Sequence, residues 1–163
     1  MELSKEQSRE IIARRVAKEF GEGDVITLGI GLPTEVANYI PANLHVVFQS
    51  ENGLLGVGRR DLSGSDNPLV TNAGGVAVTT KPGAAFFDSQ LSFAMIRGGH
   101  IDATVLGALE VDEEGNLANW MVPGVFVPGM GGEMDLVVGA KRAIIAMEHT
   151  NCLLYTSDAA DDK

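Results

Sequence analysis

Apolar residues recur four apart near the start of the chain, at Ile12, Val16 and Phe20, and this period predicts an amphipathic helix. Ser4 with Gln7 three residues later reads as its capping box, and Gly21 and Gly23 stop it. The pattern then shortens. "DVITLGIGLP" (24–33) predicts a short buried strand ending at Gly29 and Gly31, "TEVANYI" (34–40) a short helix, and "HVVFQ" (45–49) a second buried strand. "GRRDLSGSDNP" (58–68) reads as loop and "VAVTT" (76–80) as a weaker strand. "FFDSQLSFAMIRGGH" (86–100) predicts a helix with Asp88 as N-cap and Gly98 as stop. "DATVLGALEV" (102–111) and "NLANWMV" (116–122) read as strands joined by the turn-like "DEEGN" (112–116). "GGEMDLVVGA" (131–140) reads as a glycine turn opening a helix, and "RAIIAM" (142–147) as a last strand.

Strands alternating with helices through glycine turns predict an α/β fold with a largely parallel sheet and flanking helices. Ligands of such sheets gather at the carboxyl ends of the strands. Gly29–Gly31, Glu51 and Gly129–Gly132 all fall at strand ends or loop-to-helix corners, so they could share one edge of the sheet.

Composition narrows the function classes. The chain has 163 residues, 45% hydrophobic and 21% charged, which fits one domain with a real core. Its net charge of −10 argues against broad nucleic-acid binding, because neutralising phosphates needs a basic surface. No apolar stretch reaches the length of a membrane span and "MELSKEQSRE" is no signal peptide, so a cytoplasmic protein is expected. Cys152 is the single cysteine, which leaves no internal disulfide or cysteine-based metal site.

The chemistry centres on "FQSENGLLG" (48–56). Asn52–Gly53 is a tight-turn signal, and on its own the motif reads first as a hairpin with an exposed Glu51 at its shoulder. The apolar flanks "VVFQ" and "LLG" point the other way, to a partly buried turn in which a free carboxylate is costly. A carboxylate held there is either neutralised or placed for use, and as a nucleophile it would attack an acyl carbon. "PGMGGEMDL" (128–136) exposes N–H groups before a helix, either a structural loop or an oxyanion site. "GIGLP" (29–33) lacks the lysine of a phosphate loop. Histidines 45, 100 and 149 read as packed or solvated groups without chemistry, and Trp120 as a core residue.

"SENGLLG" is similar to the active-site signature of the family I CoA-transferases, in their β-type (B) chain. "GIGLPTEVANYIP", "FDSQLSFAMIRGGHID", "VLGALEVDEEGNLANWMVPG" and "GMGGEMDLVVGAKRAIIAMEHT" resemble the same family in the same order, over roughly residues 5–151. The nearest likeness is to the 3-oxoacid, acetate–acetoacetate and butyrate–acetoacetate enzymes. The resemblance implies a CoA-transferase sheet of the sugar-phosphate-isomerase-like kind, incomplete at the C-terminus. It also implies that Glu51 is the nucleophile of a ping-pong reaction through a covalent glutamyl-CoA thioester. Gly132 or its neighbour Gly131 would supply the oxyanion N–H, Gly29 and Gly31 would shape the pocket floor, and Ser50 and Asn52 would position Glu51, Asn52 alternatively serving only the turn. Gly29, Gly31, Ser50 and Asn52, with Gly53, are the expected substrate- or CoA-binding residues. Coenzyme A is then substrate rather than a bound cofactor, no metal is needed, and an alpha subunit completes a hetero-oligomer acting on short-chain carboxylic or 3-oxo acids.

Two departures stand out. Glu133 replaces an alanine common in relatives, one residue beyond the proposed oxyanion donor; it could repel developing negative charge there, but is expected instead to point to solvent at a helix N-terminus, where a carboxylate is harmless. Val125 replaces a common lysine, which weakens any hold of this chain alone on the CoA phosphates. "CLLYTSDAADDK" (152–163) resembles translated sequencing-adapter read-through and is expected to be non-native, the alternative being a natural acidic tail. The domain expectation is therefore 1–151, a truncated β-type CoA-transferase domain, with a foreign tail at 152–163. Two other readings of the chain are a noncatalytic α/β ligand-binding module and an enzyme component inactivated by truncation.

Overall fold

The computed structural model describes residues 3–60, 67, 69–121, 124, 127 and 130–149. The first helix, α1 (Lys5–Val16), opens with the capping box foreseen: Ser4 Oγ accepts the Gln7 N–H and Gln7 Oε1 accepts the Ser4 N–H. A 3₁₀ turn (Ala17–Glu19) ends it. β1 (Val25–Leu28) leads through Gly31 into the single turn α2 (Leu32–Glu35), which Pro33 suits because its missing N–H is not needed there. β2 (Val47–Ser50) and β3 (Leu54–Arg60) follow, then the long β4 (Val78–Phe86). α3 (Ser89–Arg97) has Asp88 as N-cap, its carboxylate accepting the Leu91 N–H, and Gly98 as C-cap. The chain continues with β5 (Ala103–Leu106), β6 (Glu110–Val111), β7 (Leu117–Ala118), α4 (Glu133–Gly139) and β8 (Ala143–Ile145).

Six strands form one sheet in the order β4-β3-β2-β1-β5-β8. The pairs β2–β1, β1–β5 and β5–β8 are parallel, as the alternation of strand and helix predicts, while β2–β3 and β3–β4 are antiparallel. Side chains alternate across the strands and build a core on each face. Ile26, Ala103 and Val105 meet Ala13 and Val16 of α1 and Leu32 of α2. On the other face Val25, Leu106 and Ile145 meet Ile96 of α3 and Leu136 of α4. The sheet is thus sandwiched between α1–α2 and α3–α4.

Two expectations need correction. "DATVLGALEV" is two strands, β5 and β6, parted at Gly107, and β6 pairs with β7 in a separate two-stranded ribbon. Trp120, expected in the core, is 50% exposed. The segment "NLANWMV" gives only Leu117–Ala118 to a strand, so Trp120 lies beyond the ribbon rather than on a packed face of it. Val125 and the tail 152–163 lie outside the described residues.

Candidate active site

Because β1, β2 and β5 run parallel, their carboxyl ends share one edge of the sheet. Gly29 follows β1 there, Glu51 follows β2, and Gly107 follows β5. α4 returns on the α3 face with Gly132 as N-cap, which brings Gly131 and Gly132 to the same edge. Gly29, Gly31, Ser50, Glu51, Gly131 and Gly132 all line one cleft of about 1120 Å³. Residues that lie far apart in sequence therefore meet around one hollow, large enough for a ligand bigger than a simple acid.

Glu51 opens the three-residue turn between β2 and β3, in which Ser50 pairs with Leu54. The Gly53 N–H donates to Ser50 O at 3.0 Å and closes the turn, and Gly53 O accepts the Phe87 N–H at 3.0 Å. Gly53 has φ +113°, and a Cβ there would stand 2.0 Å from Phe87 O, so only glycine fits. Among the described residues, the side-chain bonds of Ser50 and Asn52 run to a neighbouring loop. Ser50 Oγ accepts the Ala73 N–H at 2.8 Å and Asn52 Nδ2 donates to Thr71 O at 2.8 Å. Together they clamp the turn to a neighbouring loop whose Asn72, Ala73 and Gly74 form part of the cleft wall.

The support beneath the turn is a polar row that sequence reasoning missed. Thr27 pairs with Gln49 across β1–β2 and with Thr104 across β1–β5. Thr27 Oγ1 donates to Gln49 Oε1, and Gln49 Nε2 donates to Ser92 Oγ of α3, both at 2.6 Å, with all three residues buried. A glutamine closing an apolar strand, two positions before a candidate nucleophile, was the available signal. Buried amides are kept only where both ends find partners, so this one fixes β2 against β1 and α3.

Glu51 and Gly132 are close neighbours. A Cβ built on Gly132 would stand 3.4 Å from Glu51 Oε1, and 2.7 and 2.9 Å from two ring carbons of Phe93. The absence of a side chain at Gly132 thus leaves both backbone and space beside the carboxylate. Burial pushes the Glu51 carboxyl above its ordinary range, since water is partly withdrawn from it. A half-buried carboxyl facing a bare backbone turn can act as a nucleophile toward an acyl carbon lodged between them.

Glu133 contradicts its expectation. It does not point to solvent: Oε2 accepts the Asn119 amide, Oε1 is buried without a partner among the described residues, and burial raises its pKa. The cause is Asn119, whose Oδ1 accepts the Leu109 N–H at 2.9 Å and whose Nδ2 turns toward α4. A second carboxyl therefore lines the cleft one residue beyond Gly132.

Comparison with known proteins bears on what the site is. The Coenzyme A transferase family model matches residues 9–155. The chain is 61% identical over 142 residues to the beta chain of acetate CoA-transferase from Escherichia coli (strain K12), covering 87% of this chain and 64% of the relative. It is 57% identical over 143 residues to the corresponding B-type chain of succinyl-CoA:3-ketoacid coenzyme A transferase from Helicobacter pylori (strain ATCC 700392 / 26695), covering 88% of this chain and 69% of that relative. The chain thus spans about two thirds of the length of these relatives. Its fold matches an acyl-CoA transferase from Escherichia coli O157:H7 solved as a thioester complex with CoA, with TM-score 0.69 and 22% identity over 98% of this chain and 30% of that one. With the family model spanning nearly all of the described fold, the chain belongs to the coenzyme A transferase family.

Proposed function

We propose that this chain is the beta-type component of a CoA-transferase that moves CoA between an acyl-CoA and a short-chain carboxylic or 3-oxo acid, with Glu51 as nucleophile. The observation that carries the reading is the placement of the half-buried Glu51 carboxyl against Gly132 at the carboxyl edge of the sheet. The Glu51 carboxylate attacks the thioester carbon, the C–S bond breaks, and CoA leaves as thiolate from an acyl–glutamyl anhydride. The thiolate then attacks the glutamyl carbonyl, forms a glutamyl-CoA thioester and releases the first acid as its carboxylate. A second carboxylate reverses both steps and leaves as the new acyl-CoA.

Each addition places negative charge on a carbonyl oxygen, and backbone N–H groups aimed at that oxygen lower the barrier. Gly132, with Gly131 beside it, is the donor in this reading, and Gly29 and Gly31 floor the pocket. CoA enters as substrate and no permanently bound cofactor is required. An alpha-type partner chain completes the enzyme, which is cytoplasmic in this reading; among the described residues no helix is long and apolar enough to cross a membrane.

The test is covalent trapping. The chain assembled with its alpha-type partner is incubated with acyl-CoA, reduced with borohydride and mapped by mass spectrometry. A reduced glutamyl adduct at Glu51 is expected. An unmodified Glu51 in a folded, saturated complex removes the nucleophile assignment.

A further inference from the structure

We propose that Glu133, set beside Gly132 by α4 and pinned by Asn119, makes the acyl end of the cleft select acyl groups without a second carboxylate over dicarboxylic ones. This rests on the CoA-transfer reading and concerns only which acids that site accepts.

The charges along the cleft are segregated. Among the described residues that line it, the carboxyl groups are Glu51 and Glu133, and the cations are Arg59, Arg60 and Lys81. Lys81 donates from Nζ to Val46 O at 3.3 Å. Val46 and Glu51 flank opposite ends of β2, about 17 Å apart at a rise of about 3.4 Å per residue. Arg60 pairs with Val78 at the end of β3 remote from Glu51. Lys81 is thus held beside the first half of β2, its Nζ also 5.6 Å from the centre of the Phe48 ring, and Arg59 and Arg60 close β3 at its far end, so a substrate carboxylate near Gly132 meets Glu51 and Glu133 before any of these cations.

The described neighbours of Glu133 offer no compensation either. From α3 the charged group is Arg97, bound to both oxygens of Asp135 at 2.8 and 3.0 Å on an exposed surface. β5 (Ala-Thr-Val-Leu) carries no charged residue, β7 is followed by the neutral Asn119, and the β2–β3 turn contributes Glu51 itself. Asn119 cannot turn to serve a substrate anion, because its Oδ1 is held by the Leu109 N–H and its Nδ2 by Glu133. The Glu133 carboxyl is fixed in turn, with Oε1 enclosed, so its charge cannot swing away. An acyl tail ending in a methyl or a ketone meets no opposing charge at this corner. One ending in a carboxylate meets two, in a site where water screens poorly. Because burial raises the Glu133 pKa, the discrimination widens as pH rises and Glu133 ionises.

The experiment gives acetyl-CoA and succinyl-CoA separately to the complex of the full chain with its alpha-type partner. It reads kcat/KM for formation of the Glu51 adduct over a pH series rising from about 4.3, the ordinary glutamate value, to about 8. The expected preference for acetyl-CoA is at least about tenfold at the higher pH and smaller at the lower. Glu133→Ala and the isosteric Glu133→Gln are each expected to narrow it at least about fivefold and to flatten its pH dependence. Equal use of the two thioesters by the wild type overturns the inference, as does a ratio that neither substitution moves. If neither thioester labels Glu51, the CoA-transfer reading falls, and the selectivity inference falls with it.

Discussion

Oε1 of Glu51 and the backbone of Gly132 face each other across a gap that one methyl group would fill: a Cβ on Gly132 would lie 3.4 Å from that oxygen. The two residues are 81 positions apart (132 − 51). They meet because β2 and the start of α4 end at the same edge of the sheet.

Gly132→Ala tests this relationship. Gly132 has φ −79°, which alanine adopts freely, so any effect is steric rather than conformational. The new methyl would stand 2.7 Å from Cζ of Phe93, which packs on the α3–α4 core, and that ring must move. Overpacking of this kind costs about 1–3 kcal/mol of stability. Activity is expected to fall further than stability explains, because the methyl also occupies the space beside Glu51. Denaturant melts and steady-state rates on the same preparation check this, and a variant with normal turnover would remove Gly132 from the site.

Gly53→Ala is expected to be more severe. It combines φ +113° with a contact of 2.0 Å to a backbone oxygen, Phe87 O, that cannot rotate away. Positive-φ strain alone costs about 1–3 kcal/mol, and the collision adds to it. The turn must open, so adduct formation at Glu51 should be lost together with a large drop in the urea midpoint. Ser50→Ala makes the milder control: it removes one acceptor, from the Ala73 N–H, at a cost of about 1–3 kcal/mol.

The parallel core was legible, because buried strands and helix caps leave local signals, whereas for Glu51 and the glycine corners only the possibility of a shared edge was. Asp88 and Gly98 bound α3 where their residue types predict. β3 was not legible. Gly58 opens the stretch that reads as loop, yet Gly56 and Gly58 are glycines because β4 crosses closely: a Cβ on Gly58 would stand 2.3 Å from Thr79 Oγ1, and one on Gly56 3.0 Å from Ala84 Cα. That cause lies in a partner strand more than twenty residues on, which no local window contains. Glu133 failed for the same reason. A helix N-terminus suggests solvent, and only tertiary structure brings Asn119 to its carboxyl.

The pH behaviour of Glu51 follows from burial. Its folded pKa is raised, so the folded state binds the proton more tightly than the unfolded chain. By linkage this group favours folding at low pH, and that contribution is lost as pH climbs from the ordinary glutamate value of about 4.3 through the raised one. Glu51→Gln, which stays neutral, should therefore melt above the wild type near neutral pH and converge with it in acid. The rate of adduct formation should show the opposite dependence, rising with pH as the nucleophile ionises. Melting curves across pH and rapid-quench adduct formation read the two separately. A Glu51→Gln protein less stable than wild type at neutral pH would show that burial is not what the carboxyl experiences.

Gln49 offers the most direct separation of support from chemistry. Its amide joins Thr27 of β1 to Ser92 of α3, and it ends two residues before Glu51 without lying beyond the sheet edge itself. Gln49→Leu keeps the volume but leaves two buried hydroxyls facing an apolar group, each unsatisfied partner costing about 1–3 kcal/mol. Gln49→Glu keeps an acceptor for the Thr27 hydroxyl and, when ionised, can accept from Ser92, at the cost of a buried charge beside the site. If the row fixes the position of the Glu51 turn, Gln49→Leu should lower kcat for CoA transfer by about tenfold or more while KM changes little, since the loss is of alignment. Relative to wild type at the same pH, Gln49→Glu should recover part of kcat at low pH, where the new carboxyl is protonated and can donate to Ser92 as the amide does. A kcat that follows stability alone in both variants, with no pH-dependent recovery, would reduce the row to a packing element.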